Sequence, residues 1–371
     1  MALLLAMVLP VTAETHFEEP RLHVSNRVPE PMDQAAGGNA ASSLFAPDNR
    51  LAWAMVPFDA KKRSPLERAE LLARLGFRHF AYDWRPEHVD TFDAEIEALA
   101  ARGIELTAWW FPLDARDPLA RKTLETFRRH GVHPELWVSL AIGLDSLPQS
   151  RAAWNALLPP DQKIPDDQTL RQMSNATRQK LMATIAALSA RLQRESLPKT
   201  EADQAKWVEE AGNRVLQLAR LAEPYDCPIA LYKHSGWFGL MENQVAVIDW
   251  LRAHGVNDIR IAYSFSHARD SLHDDTRDFR SVWRQIQPYV STVIVSGVGD
   301  AEGYLYPSTG KFELDMLRAI RDSGWKGQLG ALAEKGGDAE ITLGNYIRGL
   351  DWLAAELQQP GSAGPRPVFD P

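Results

Sequence analysis

Residues 51–83 read LAWAMVPFDAKKRSPLERAELLARLGFRHFAYD, and this stretch holds one strand–helix unit followed by the next strand. Residues 51–57 form an apolar run of the length expected for a buried strand. Residues 65–75 place apolar side chains at helical spacing, with proline in the first turn and Gly76 directly after the last, which is the usual pattern at the two ends of a helix. Residues 77–83 return to a strand-like pattern, so the stretch predicts a β–α–β segment with parallel strands.

The same unit recurs along the chain. The predicted strands are residues 51–57, 77–83, 104–111, 135–140, 229–234, 259–265, 290–296 and 328–333. The predicted helices are residues 65–75, 86–102, 118–130, 201–221, 243–254, 276–287, 312–322 and 339–357. Apart from one interruption, strands begin every ~25 to 40 residues, the span of one βα unit. Eight such units predict an α/β fold, a closed (β/α)₈ TIM barrel. The alternative is an open doubly wound sheet, but no Gly-rich phosphate turn follows the first strand.

The predicted barrel occupies about residues 48–358 and is interrupted once, between strand 4 and helix 4. The inserted segment, about residues 145–200, contains the loop-like LLPPDQKIPDDQ and then an amphipathic helix. Four apolar residues share one face of that helix: Leu181, Ile185, Leu188 and Leu192. Because the insertion leaves from the C-terminal end of a strand, where barrel active sites lie, we expect a helical cap over the barrel mouth. Packing against the outer helices is the alternative.

The two ends of the chain differ from the barrel in composition. The chain starts MALLLAMVLPVTAETH, an apolar run followed by a small-residue pattern, although a basic segment before the run is missing. We expect residues 1–13 to be a secretory signal peptide, too short to span a bilayer, and the protein to be periplasmic or secreted. An apolar N-terminal strand is the alternative. Residues 14–47 are predicted to be a loose N-terminal extension, and residues 359–371 a flexible tail.

Composition excludes some classes of partner and chemistry. The formal net charge of −8 disfavours contact with a phosphate backbone, so we expect no nucleic-acid partner. We also expect no membrane partner once the signal peptide is removed. The single cysteine, Cys227, excludes an intramolecular disulfide and a Cys-rich metal cluster. Twelve tryptophans offer flat faces on which sugar rings can stack, although core packing accounts for most of them.

Several segments together carry a family resemblance. They are LAWAMVPFDAKKRSP, FAYDWRPEH, ELTAWWFP, ALYKHSGWFGLMENQ, LRAIRDSGWKGQLG and IRGLDWL. In their order and their placement at strand ends, they resemble the xylose isomerase-like TIM barrels, the sugar isomerase/epimerase superfamily. The resemblance runs over most of residues 50–357 but not the insertion. It implies a divalent metal at the barrel mouth, held by Glu, Asp, His and Glu of the later strands, and transfer of a proton or hydride between neighbouring carbons of a sugar.

Carrying those ligands over position by position gives one match. Tyr232 stands on strand 5 where the family has Glu, and Ser264 stands on strand 6 where it has Asp. On strand 7 a His is expected near Ser296, and none is present. On strand 8 the closing Glu matches Glu334.

The strand ends themselves suggest a binding site for a small-molecule carbohydrate. Charged groups grip hydroxyls and aromatic rings pack on C–H faces, so a mixture of both suits a polyhydroxylated ligand. The candidate substrate-binding residues are Asp83, Arg85, Trp109, Trp110, Lys233, Trp237 and Arg269. Alternation along a strand places only one of Trp109 and Trp110 in the mouth, and points Lys233 either between strand and helix or upward at the strand's end. Trp237 lies in the Gly-flanked SGWFG loop, where it forms either a movable clamp or a static plug.

Three residues are the candidate catalytic and metal-binding groups: His234, His267 and Glu334. Two histidines and one carboxylate leave open positions for substrate oxygens and suit a divalent metal such as Mn, Mg, Zn or Fe. Without a metal, the histidines hydrogen-bond within the pocket and Glu334 pairs with Lys335, Lys233 or Arg269. In either arrangement Glu334 is the candidate base, and the histidines stabilise an oxyanion.

These residues favour a sugar isomerase- or epimerase-like enzyme that transfers a proton next to a carbonyl group. A carbohydrate β-elimination lyase and a non-catalytic carbohydrate-binding barrel are the alternatives. A metal-dependent nuclease is disfavoured by the acidic balance of the chain and by the shortage of His and carboxylate ligands.

Overall fold

The computed structural model describes residues 44–142, 147–148, 150–269, 272–300, 304–334 and 337–369. The predicted signal peptide and most of the predicted extension lie outside these residues. The described residues divide into two compact units, one within residues 141–207 and the other within residues 44–140 and 208–369. Within the described part, no helix is long and apolar enough to cross a membrane.

The second unit is a closed barrel of eight parallel strands. The strands are β1 (Arg50–Trp53), β2 (His79–Tyr82), β3 (Glu105–Trp110), β4 (Glu135–Val138), β5 (Ile229–Tyr232), β6 (Ile259–Ser264), β7 (Val290–Val295) and β8 (Gln328–Leu332). Each strand pairs with the next, and β8 pairs with β1 from Arg50↔Leu329 to Trp53↔Leu332. The predicted (β/α)₈ TIM barrel is confirmed.

The barrel helices follow the predicted order. They are α1 (Pro65–Arg74), α2 (Phe92–Ala100), α3 (Pro118–His130), α7 (Glu201–Ala222), α8 (Met241–Ala253), α9 (Phe279–Ile286), α10 (Glu313–Asp322) and α11 (Ala339–Gln358), with α4 (Arg151–Leu157), α5 (Asp167–Gln172) and α6 (Asn175–Ser196) in the insertion. Their ends are set locally. The Ser64 hydroxyl accepts the Glu67 backbone N–H while the Glu67 carboxylate accepts the Ser64 backbone N–H, a capping box. Helix α3 ends at Gly131, whose φ of 62° is left-handed.

The insertion has a small core of its own. Its buried members are Trp154, Leu158, Ile164, Leu170, Leu181 and Ile185, with Leu188 and Leu192 partly buried against them. The predicted apolar face of α6 is therefore confirmed as the face that packs. The Asn155 side chain joins two parts of this unit, donating to the Ile164 carbonyl at 2.9 Å and accepting the Ile164 N–H at 2.7 Å. The cap over the barrel mouth stays a prediction.

The C-terminal tail, predicted to be flexible, makes specific contacts up to residue 369. The Trp352 indole N–H donates to the Gly364 carbonyl at 3.1 Å, and the Phe369 ring lies 4.9 Å from that of Tyr306. The Arg366 guanidinium donates to the Gly310 carbonyl at 3.3 Å. Proline and glycine dominate the tail sequence, but its one aromatic side chain and one arginine both find partners on the barrel unit.

Candidate functional site

The C-terminal ends of the strands bring four aromatic side chains together, which we call the aromatic floor: Trp53, Trp110, Trp137 and Tyr232. The ring centroids of Trp53 and Trp137 are 4.7 Å apart, and the Tyr232 ring lies 5.4 to 5.9 Å from the other three. Trp110 is the member that keeps substantial exposed surface. Sequence reasoning selected Trp110 but missed Trp53 and Trp137. The sequence did carry a signal for both residues. Each stands near the C-terminal end of an apolar strand, at a position whose side chain faces the barrel interior.

The hydroxyl of Tyr232 is the polar centre of this floor. It accepts a hydrogen bond from the Trp53 indole N–H at 3.1 Å and is also hydrogen-bonded to the Ser264 side chain. Ser264 in turn lies 2.8 Å from the hydroxyl of Ser266. Burial raises the pKa of Tyr232 well above its ordinary value, so the phenol stays protonated.

Two carboxyl groups and one guanidinium form the charged side of the site. Burial raises the pKa of Asp83 to about 8, and the Glu334 carboxyl adds to the rise, while Arg85 and the Val56 N–H oppose it. Burial also raises the pKa of Glu334 to about 7, against the effects of a hydrogen bond from Tyr304 and of Arg85. Glu334 and Asp83 both also raise the pKa of Tyr232, which places the carboxyls beside the aromatic floor.

Tyr304 is a site residue that sequence reasoning missed. Its hydroxyl hydrogen-bonds the Glu334 carboxyl, from the loop between β7 and α10. That loop is tied back to the end of β7, because the Gly297 N–H donates to the Leu305 carbonyl at 2.9 Å. No strand-end pattern marks a residue so far along a loop, so only the fold reveals its position.

The two candidate histidines face one another. The rings of His234 and His267 are 4.4 Å apart at 39°, and the Tyr232 ring lies 6.4 Å from His267. Burial, followed by the charge of Lys233, lowers the pKa of His234 to about 4. Burial, His234 and Lys233 hold the pKa of His267 well below its ordinary value. Both imidazoles are therefore neutral at pH 7, each with one N–H donor and one acceptor nitrogen.

Lys233 does not reach the mouth, which corrects its assignment as a substrate-binding residue. Its side chain is 1% exposed and forms a buried ion pair with Asp275 at 3.0 Å. It also donates to the Gly239 carbonyl at 3.0 Å and lies 5.5 Å from the Tyr263 ring centroid. Strand alternation explains the result, because His234 and Tyr232 take the inward side and Lys233 the outward one. Its charge still reaches the histidines.

Three other predicted substrate-binding residues are engaged in contacts with other parts of the protein. Trp109 is fully buried on the helix side, with ring contacts to Tyr82, Phe92 and Phe127, so it presents no surface to a ligand. Trp237 is 2% exposed, and its carbonyl accepts from Asn243 at 2.7 Å, which favours a static plug over a movable clamp. Arg269 pairs with Asp274 at 3.2 Å and donates to the Gly299 carbonyl.

The predicted metal site is not assembled. Within the described ranges, no group of three or more His, Cys, Asp or Glu side chains could hold a metal ion. The histidines follow β5 and β6, whereas Glu334 follows β8 and interacts with Tyr304, Arg85 and Asp83. The predicted metal site is therefore corrected: His234 and His267 do not form a two-His, one-carboxylate site with Glu334. Lys335, the other partner considered for Glu334, lies outside the described residues.

Comparisons with known proteins support the fold. No protein-family model and no curated protein matches the sequence. Among solved structures, the apo 3-keto-D-glucoside 4-epimerase YcjR from E. coli is 15% identical, with a TM-score of 0.51 over 82% of this chain and 98% of that one. A xylose isomerase domain protein from Alicyclobacillus acidocaldarius is 13% identical, with a TM-score of 0.51 over 84% and 99%. The IolI protein with bound zinc is 13% identical, with a TM-score of 0.52 over 83% and 98%. The resemblance to xylose isomerase-like TIM barrels is confirmed at the level of the fold.

The loop that positions His234 depends on the absence of a side chain at Gly239. A Cβ atom there would lie 1.7 Å from the His234 carbonyl oxygen, so Gly239→Ala must displace the His234 backbone. We expect a loss of about 1–3 kcal/mol in the free energy of unfolding, measured by urea denaturation. The matched control is Gly344→Ala in α11, where a Cβ meets nothing within 4 Å and a gain of about 0.5–1 kcal/mol is expected. Equal effects at the two positions would contradict the close-approach explanation.

Proposed function

We propose that this protein is a sugar isomerase- or epimerase-like enzyme that transfers a proton next to a carbonyl group of a small carbohydrate. The observation that carries the proposal is the pair of carboxyl groups beside Arg85, with pKa values raised to about 7 for Glu334 and about 8 for Asp83. A general acid or base works best when its pKa lies near the working pH. The likeness in fold to a 3-keto-D-glucoside 4-epimerase adds support.

In the proposed reaction Glu334 acts first. As a carboxylate it removes the proton from the carbon next to the carbonyl. The electron pair of that C–H bond forms a carbon–carbon double bond, and the π pair of the carbonyl group moves to its oxygen, which gives an enediolate. Asp83, protonated near neutral pH, returns a proton to the carbon skeleton. Tyr304 holds the Glu334 carboxyl through its hydrogen bond, and the charge of Arg85 offsets the negative charge shared by the two acids.

The rest of the site binds the sugar and its developing charge. His234 and His267 are neutral, so each offers an N–H donor to the enediolate oxygen. Neither is an imidazolium ion that would give its extra proton to the base Glu334. Trp110 offers a partly exposed indole face at the edge of the aromatic floor, suited to the C–H face of a sugar ring. A β-elimination would share the first proton abstraction, and product analysis separates it from isomerisation.

Deuterium exchange tests the reaction directly. Incubation with ketoses, aldoses and 3-keto-sugars in deuterated water should place deuterium at a carbon next to the carbonyl, detected by NMR. Glu334→Gln removes the base and should slow exchange by at least about a hundredfold. The control is Glu97→Gln, which changes an exposed glutamate of α2 and should leave the rate unchanged. Tight sugar binding by the wild type with no exchange on any sugar would favour a carbohydrate-binding barrel instead.

The pH dependence follows from the two raised pKa values. Activity requires Glu334 ionised, so kcat/KM should rise with pH through about 7, and it requires Asp83 protonated, so it should fall through about 8. The expected pH profile is bell-shaped. Because the two acids interact, the apparent pKa values of its two limbs describe the pair rather than either residue alone. Asp83→Asn can neither ionise nor return the proton, so it should lower kcat/KM, and the activity that remains should show no alkaline limb. An Asp83→Asn profile that still falls above pH 8 would contradict the assignment of Asp83 as the acid.

Sugar stacking on Trp110 gives a binding prediction. Trp110→Ala should weaken the affinity for a sugar by about tenfold, because one aromatic contact of this kind is removed. Isothermal titration calorimetry measures the change. Trp352→Ala is the matched control, since Trp352 is also partly buried but lies on α11 with its indole N–H bonded to the C-terminal tail. Equal affinity for wild type and Trp110→Ala would show that sugar does not contact this ring.

A further inference from the structure

Neutral hydroxyl groups stand where the family resemblance places metal ligands. Tyr232 ends β5, Ser264 ends β6, and Ser296 directly follows β7. The Trp53 indole N–H donates to the Tyr232 hydroxyl at 3.1 Å, and the Tyr232 and Ser264 side chains are hydrogen-bonded to one another. The Tyr232 oxygen therefore accepts a hydrogen bond from Trp53. A metal ligand at this position would instead direct its oxygen lone pair at the ion.

The Tyr232 ring is also fixed in place. It is 4% exposed and lies within 6 Å of the Trp53, Trp110 and Trp137 rings. A phenol packed on three sides cannot turn away to admit an ion and its water shell. The chain therefore fills this part of the barrel interior with a side chain.

The donor chemistry points in the same direction. Divalent ions in proteins are held by carboxylates, imidazoles, thiolates or carbonyl oxygens, and a neutral hydroxyl is a poor substitute. The substitutions replace two carboxylates and one imidazole of the family pattern with Tyr232, Ser264 and Ser296. Glu334, the one matching residue, is hydrogen-bonded by Tyr304 instead.

We infer that the hydrogen-bonded cluster of Trp53, Tyr232 and Ser264 occupies the place of a metal ion, and that the site works on its substrate without a divalent metal. The claim that the site works without a divalent metal rests on the proposed proton-transfer function. The claim that the cluster occupies the place of the ion does not. Neutral N–H and O–H groups then take over the stabilisation of negative charge that a Lewis acid supplies elsewhere.

Metal content tests the inference independently of activity. The full chain, purified without a polyhistidine tag, is dialysed separately against Mn²⁺ and Zn²⁺, passed over a desalting column, and analysed by inductively coupled plasma mass spectrometry. The expected result is far less than one equivalent retained. Retention of about one equivalent per chain, abolished by His234→Ala or His267→Ala, would overturn the inference.

A gain-of-function variant tests the position of the cluster. Tyr232→Glu combined with Ser264→Asp and Ser296→His restores the family's ligand types around Glu334, and this triple variant should retain about one equivalent of Mn²⁺ or Zn²⁺. Tyr232→Phe, which removes the hydroxyl without adding a ligand, should retain none. A triple variant with the wild-type circular dichroism spectrum that still binds no metal would refute the placement. If the triple variant fails to fold, the wild-type titration decides.

The deuterium-exchange assay tests the claim that the reaction needs no divalent metal. The wild-type rate should change less than about twofold in excess EDTA or in added Mn²⁺, since no ion takes part. A rate that EDTA abolishes and Mn²⁺ restores would overturn the inference. If the wild type exchanges no proton on any sugar, the proposed function fails, and the metal titration still decides whether the cluster has replaced the ion.

Discussion

The pairing of β8 with β1 is the constraint on which the site depends. It joins residues almost three hundred positions apart in the chain, and its last hydrogen bond, from the Ala333 N–H to the Trp53 carbonyl, measures 2.9 Å. Glu334 follows directly, so barrel closure delivers this carboxyl to the side of the mouth where Asp83 and Arg85 leave β2. Without closure, the carboxyl that ends the eighth strand and the acid that follows the second would not interact.

Burial at the mouth then shifts the two carboxyl groups and the two histidines in the same sense, toward the neutral form. It raises the pKa values of Asp83 and Glu334 and lowers those of His234 and His267. The lysine that could have supplied a charge, Lys233, is compensated on the outer side of β5 by Asp275. The result is a site in which the pKa values of Glu334 and Asp83 lie near neutral pH, so small changes in pH or substrate charge move protons.

The sequence allowed the barrel to be predicted because its signals are local. Helix α3 has the predicted bounds, set by Pro118 at its start and Gly131 after its end. The site was less predictable because it depends on which way a side chain faces. Alternation showed that only one of Trp109 and Trp110 faces the mouth, but the choice between them depends on register. Tyr304 reaches Glu334 through loop geometry that no periodic pattern encodes.

The raised pKa values also bear on which of two reactions, hydride shift or proton transfer, the site favours. A hydride shift between sugar carbons depends on strong polarisation of two oxygens at once, and a base with a pKa near neutrality contributes little to it. Proton abstraction next to a carbonyl depends on such a base, and the carbonyl itself stabilises the resulting charge, so hydrogen-bond donors such as neutral imidazoles can supply the remaining stabilisation. The carboxyls of pKa about 7 and about 8 are therefore the feature that favours the proposed proton transfer over a hydride shift.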